Sequence, residues 1–129
     1  MMSQATQILY TWVGATARPL QVALKTLSGA LDVSSEAITV TLTAGIAGAK
    51  TIDGKTCTKV VVGENDAGED GVISYTPGEG ELDQAGDYMA QFELATVDGE
   101  DTFYNYSEIF IIRARQRVID MFVTPEPEE

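Results

Sequence analysis

The sequence predicts an all-β fold, an antiparallel β-sandwich of seven to eight strands with a short C-terminal extension. Three observations carry that expectation. Apolar residues recur with a period of two over most of the chain. Turn residues interrupt these runs at short intervals. No segment ahead of Arg117 has a convincing helical period, and no internal repeat is present. With 129 residues and 44% hydrophobic residues, the chain suits one globular domain with a core of its own. Residues 1–117 are expected to form the sandwich, and residues 118–129 an arm ending in an acidic tail.

The strands follow in order. "QILYTWV" puts Ile8, Tyr10 and Trp12 on one face. In "PLQVALK", Leu20, Val22 and Leu24 face inward, while Gln21, Ala23 and Lys25 face out. Ser28-Gly29 then makes a turn. "AITVTLTA" sets Ile38, Val40, Leu42 and Ala44 against Thr39, Thr41 and Thr43, a half-buried β-branched strand. Asp53-Gly54 suits a tight hairpin that needs positive φ. "GENDAGEDG" from Gly63 is too polar and glycine-rich for regular structure. "TPGEGE" from Thr76 is a turn, where Pro77 has no ladder hydrogen to donate. "DYMAQFELAT" sets Tyr88, Ala90, Phe92 and Leu94 against Asp87, Met89, Gln91 and Glu93. Asp98-Gly99 marks the last hairpin, before "TFYNYSEIFIIRARQR".

A sandwich must cross between its sheets, and "ELDQAGDY" is the expected corner. Leu82 would plug the core, Gly86 would permit the bend, and Tyr88 would open the next strand facing inward. Immunoglobulin-like domains place a Tyr at this corner, its hydroxyl bonded to backbone a few residues upstream. The sandwich is therefore read as immunoglobulin-like. Ala90 stands where a disulfide-bonded variant would have Cys, so this would be a disulfide-free form. The alternative is an ordinary loop followed by a core Tyr.

Charge and composition narrow the function. Twenty acidic residues oppose eight basic ones, a net charge of -12. Phosphates would be repelled, so nucleic acid is not expected as a partner. Seven acids lie between Glu64 and Asp83, and three close the chain in "TPEPEE"; both clusters read as solvated loop and tail. No apolar run approaches the ~18 residues of a membrane helix, and the N-terminus lacks the pattern of a signal peptide. No membrane association is expected. Cys57 is the single cysteine, which fits assembly in a reducing cytoplasm. Histidine is absent, removing the usual general base and the commonest metal ligand.

The remaining constellations are weak. Glu64, Asp66, Glu69 and Asp70 could cluster around Ca²⁺, but their spacing does not match an EF-hand loop. The glycines at 78 and 80 lack the strand-to-helix setting of a phosphate loop. Asn105-Tyr106-Ser107 matches a glycosylation acceptor, but with no secretion expected the match should be empty. No carboxylate pair stands out for acid–base work. No enzymatic activity, cofactor, metal or small-molecule substrate is expected. Arg113, Arg115 and Arg117 share one face of a strand. They form either a docking stripe for an acidic neighbour, where guanidinium forks suit carboxylates, or a solvated edge that blocks aggregation. Val118, Ile119, Met121, Phe122 and Val123 form an apolar set that must be covered, by folding back or by docking on a neighbour. Tyr104 and Tyr106 either pack in a hairpin or present rings to a glycan.

The ordered motifs resemble one family. They are Gly29, Asp32, Val33 and Ser34; then Gly71, Val72, Tyr75, Thr76 and Pro77; then Ala85, Gly86 and Tyr88; then Asp98 and Gly99; then Phe110 and Ile112. Across roughly residues 5 to 117 this series resembles the N-terminal domain of phage baseplate upper proteins and related small tailed-phage virion modules. Ala17-Arg18-Pro19 replaces the family's Gly-Asp, and Tyr104 replaces its Pro. The long C-terminal part of those proteins has no counterpart here, so the resemblance implies the module rather than the baseplate role. It implies a non-enzymatic structural protein of a tailed bacteriophage virion, in the tail, neck or baseplate, working by protein–protein docking. The alternatives are a capsid decoration protein and a carbohydrate-binding host-attachment module. Partners would be other virion proteins and copies of the same chain, and the location would be the virion, assembled in the bacterial host cytoplasm.

Overall fold

A computed structural model describes residues 7–116, apart from 15, 17, 27 and 28. Eleven strands run through these residues: β1 (Ile8–Trp12), β2 (Leu20–Ala23), β3 (Lys25–Thr26), β4 (Gly29–Ala30), β5 (Ile38–Ile46), β6 (Ala49–Thr56), β7 (Thr58–Lys59), β8 (Val72–Tyr75), β9 (Gly86–Asp98), β10 (Asp101–Tyr106) and β11 (Phe110–Arg115). Three of them are two-residue bridges, which accounts for the excess over seven to eight.

The larger sheet has the order β1-β11-β9-β5-β6, with β10 paired to the far half of β9. The smaller sheet is β2-β8-β7, and β3 pairs with β4 in a separate ladder. The two main sheets pack face to face as an all-β sandwich. One expectation needs correction: the pairing is not wholly antiparallel, because β1 runs parallel to β11. The first and last strands of a sandwich can meet this way because a long stretch of chain separates them.

Alternation builds the core, as the period of two requires. Across β5 and β9, Val40 pairs with Leu94, Leu42 with Phe92 and Ala44 with Ala90, and all are buried. Across β11 and β9, Phe110 pairs with Ala90 and Ile112 with Tyr88. Phe92 and Phe110 stack with ring centroids 5.0 Å apart. Leu20, Val22 and Ile73 of the smaller sheet join the same buried cluster, together with Val33, Leu82 and Ile52. At about 25 cal/mol per Å² of apolar surface removed from water, burying each such side chain contributes about 1.5–3 kcal/mol.

Two local expectations change. Asp53-Gly54 is not the hairpin turn. That turn is Ala47-Gly48, with φ of 55° and 78°, closing Ile46 against Ala49. Gly54, also at positive φ, lies inside β6 where the ladder to β5 slips, and its N–H donates to Thr43 Oγ1 at 3.1 Å. Positive φ serves a bulge there instead of a turn. In β1, Ile8, Tyr10 and Trp12 do share a face, but Tyr10 and Trp12 are exposed and Thr11 is buried. Register against β11 decides this. Leu9 pairs with Ile112 and Thr11 with Ala114, whose side chains enter the core.

The polar segment from Gly63 is irregular but tied down. Val33 N–H donates to Gly68 O and Gly68 N–H to Val60 O, at 2.9 and 3.0 Å. Gly71 has φ 73°, and a Cβ there would lie 2.5 Å from Leu24 O and 2.6 Å from Leu31 O. Only glycine tolerates both conditions.

Candidate functional site

The corner at residues 82–88 is built as follows. Leu82 is buried in the core. Gly86 opens β9 with φ 140°, and a Cβ on it would come within 2.9 Å of Ile46 Cδ1. Tyr88 is fully buried, and its hydroxyl donates to Gln84 O at 2.8 Å while accepting from Gln84 N–H at 3.0 Å. One side chain thus holds both backbone groups of a residue four positions upstream. Nearby, Tyr75 donates to Glu81 Oε1, which also accepts from Gly78 N–H at 2.6 Å. Burial, and then the Glu81 carboxylate, push the Tyr75 hydroxyl well above its ordinary value.

The outward face of the larger sheet is the distinctive surface. Side chains alternate with the core set, so β9 presents Asp87, Met89, Gln91 and Glu93, and β11 presents Ile111, Arg113 and Arg115. From β1 come Tyr10 and Trp12, opposite Arg113 and Arg115. Arg113 forks onto Asp87, with Nε–Oδ1 at 2.7 Å and Nη2–Oδ2 at 3.0 Å. That hydrogen bond holds the Asp87 carboxyl below its ordinary value and raises the Arg113 guanidinium. Arg115 lies over the Tyr10 ring, 4.6 Å from its centroid.

The expected arginine stripe is therefore part of this face. Arg113 is already paired within the chain, Arg115 is stacked and exposed, and Arg117 lies outside the described residues. The alternative of a solvated edge strand is corrected, because β11 runs between β1 and β9. Val118, Ile119, Met121, Phe122 and Val123 also lie outside the described residues.

Further along the same face is a shallow depression of about 240 Å³, lined by Thr43, Met89, Gln91, Glu93, Tyr106 and Ile109 among others. Gln91 Nε2 donates to Ser107 O at 2.8 Å and Ser107 Oγ accepts from Phe92 N–H at 2.9 Å, fixing the chain where β10 gives way to β11. A hydrogen bond to the Glu93 carboxylate raises the Tyr106 hydroxyl. Met89, Tyr104, Tyr106 and Ile109 are each about half exposed. Tyr104 and Tyr106 belong to β10, every residue of which is exposed.

Sequence reasoning set Met89 on the face opposite the core but did not single out Tyr10, Trp12 or Ile109 as surface residues. Met89 alone carried a signal, an apolar side chain on the polar side of an alternating strand. In the acidic loop, Asn65 Nδ2 donates to both Asp70 oxygens, at 3.2 and 2.9 Å. Among the described residues no group of three or more Cys, Asp and Glu is arranged to hold a metal ion. No helix among them is long and apolar enough to cross a membrane.

No model of a known protein family matches the chain, and no curated protein matches it. The ionisable side chains Asp87 and Arg113, Arg115 and Tyr10, and Glu93 and Tyr106 engage one another across a broad, partly aromatic surface.

Proposed function

We propose that this chain is a non-enzymatic docking module of a tailed bacteriophage virion, in the tail, neck or baseplate, and that its sandwich is immunoglobulin-like. Three features support the fold reading. Strands β11-β9-β5-β6 follow the order of the larger sheet in variable-type immunoglobulin domains, and β2-β8-β7 that of the smaller. The Tyr88 hydroxyl holds Gln84 as the corner tyrosine of such domains holds upstream backbone. The phage assignment rests on the resemblance of the ordered motifs between Gly29 and Ile112.

The observation that carries the docking reading is the outward face of the larger sheet. Tyr10, Trp12, Met89, Tyr106 and Ile109 stay exposed there although the chain has already filled a core. Large apolar side chains grouped on one face mark an interaction surface. Repetition of such a module around a symmetric particle would multiply weak contacts into stable assembly. Partners would be other virion proteins and copies of the chain itself, with assembly in the host cytoplasm.

The test is incorporation. A chain lacking residues 118–129 should remain folded by circular dichroism yet be missing from purified particles. Quantitative mass spectrometry of particles also separates locations, since hundreds of copies would indicate capsid decoration and a dozen or fewer the neck or tail. Normal incorporation of the truncated chain would dismiss the arm. A second reading, glycan binding, is favoured by the exposed Tyr104 and Tyr106 rings on β10; silence on a glycan array would remove it.

A further inference from the structure

We infer that the depression on the outward face receives the C-terminal segment of a second copy of this chain, with Phe122 seated in it and the terminal glutamates against Arg115. The inference rests on the docking reading and names the partner and the contact.

Placement along the sheet carries the argument. From Ile109, at the depression, to Arg115 is six residues of strand, about 20 Å at ~3.3 Å per residue. From Phe122 to Glu128 is also six residues, and "TPEPE" favours an extended chain of ~3.1 Å per residue. A segment lying along β11 with Phe122 in the depression therefore brings Glu128 and Glu129 to Arg115. A depression of about 240 Å³ walled by Met89, Tyr106 and Ile109 is apolar enough to hold a single aromatic side chain. Residues 118 and 119 would then pass over exposed Tyr104 and Val97.

Charge selects the second copy over the same one. The chain leaves β11 at Arg115. Doubling back over its own sheet, it could reach the depression with Phe122, but Glu126, Glu128 and Glu129 would then run on toward Asp98, Glu100 and Asp101 of the β9–β10 hairpin. Like charges would meet. A segment arriving from another copy can run the other way, apolar part first over the hairpin and acids last at Arg115. Arg113 is already occupied by Asp87, whereas Arg115, exposed at the end of β11, has no carboxylate partner among the described ion pairs and can meet them. Two copies related by a two-fold axis would exchange segments reciprocally.

Disulfide trapping tests this on the full-length chain. One chain carries Met89→Cys and a size tag, and the other carries Phe122→Cys. Met89 is exposed, and Cys57 is buried. Mixed under mild oxidation, the pair should give a covalent species containing one of each chain, absent when either substitution is omitted. Adding Arg115→Glu to the Met89→Cys chain should lower its yield severalfold. A disulfide that forms only when both substitutions share one chain, at monomer mobility, would overturn the inference in favour of folding back. No disulfide in either format would overturn it outright, as would a yield indifferent to Arg115→Glu. Incorporation into particles is read separately, so failure here is distinguishable from failure of the docking reading.

Discussion

Tyr88 shows how much one side chain can settle. Its ring fills the core and its hydroxyl binds both backbone groups of Gln84, so the bend between the sheets is fixed from inside. Tyr88→Phe keeps the ring and leaves those groups without their partner. It should lower stability by about 1–3 kcal/mol in urea denaturation without changing the fold; an unchanged midpoint would show that the corner holds without the hydroxyl. Cys57 is the complementary case. Burial pushes its thiol up to about 12, from an ordinary 9.0. The folded state thus favours the neutral thiol, and this contribution is complete below pH 9 and lost as pH rises toward 12. Two outcomes follow: a thiol reagent should label the native chain slowly at neutral pH and the unfolded chain at once, and Cys57→Ala should flatten the alkaline decline in stability. Tyr75 titrates with the same sign, so part of that decline will remain.

Elements differ in how well they are held. Within residues 88–94 of β9, 89–94 pair with β5 and 88–90 with β11, and alternate positions are buried. β10 pairs with β9 alone and is exposed along its length. Local opening should therefore reach β10 well before the sheet centre. Hydrogen exchange followed by mass spectrometry should show faster loss of protection over 101–106 than over 88–94, and equal rates would contradict the account. Strand faces were legible wherever one side is buried: β2, β5 and β9 bury the residues that alternation assigned to the core, apart from Ile38, which is half-buried at the start of β5. β1 was ambiguous, because apolar residues occupy both of its faces. Alternation defines two sets, and only the partner strand says which set points in. Asp53-Gly54 misled for a related reason. Positive φ at Gly54 is correct, but a bulge and a turn ask the same of a glycine.

At the scale of the molecule, charge sets the behaviour. A net charge of -12 repels itself in the compact state, and the described ion pairs, Lys50–Asp53 and Arg113–Asp87, are both at the surface. Raising ionic strength from ~0.01 to ~0.1 M shortens the screening length from ~30 to ~10 Å. The urea midpoint should rise with it, and a fall would mean that attractive pairs dominate. The same repulsion explains why an exposed apolar face need not aggregate indiscriminately. In the second-copy contact proposed above, Arg115 would offer the terminal glutamates an opposite charge.

Local pattern was enough to specify the class of fold, the inward sets of the long strands, the corner at Leu82, Gly86 and Tyr88, and the absence of histidine chemistry. These depend on neighbours along the chain, whose spacing is written in covalent order. The outward surface of Tyr10, Trp12, Met89, Tyr106 and Ile109 was not visible in that order. It gathers residues from β1, β9, β10 and the approach to β11, and strand pairing across more than a hundred positions of sequence brings them together. Long-range register, which no local period encodes, is what turned those scattered side chains into a surface.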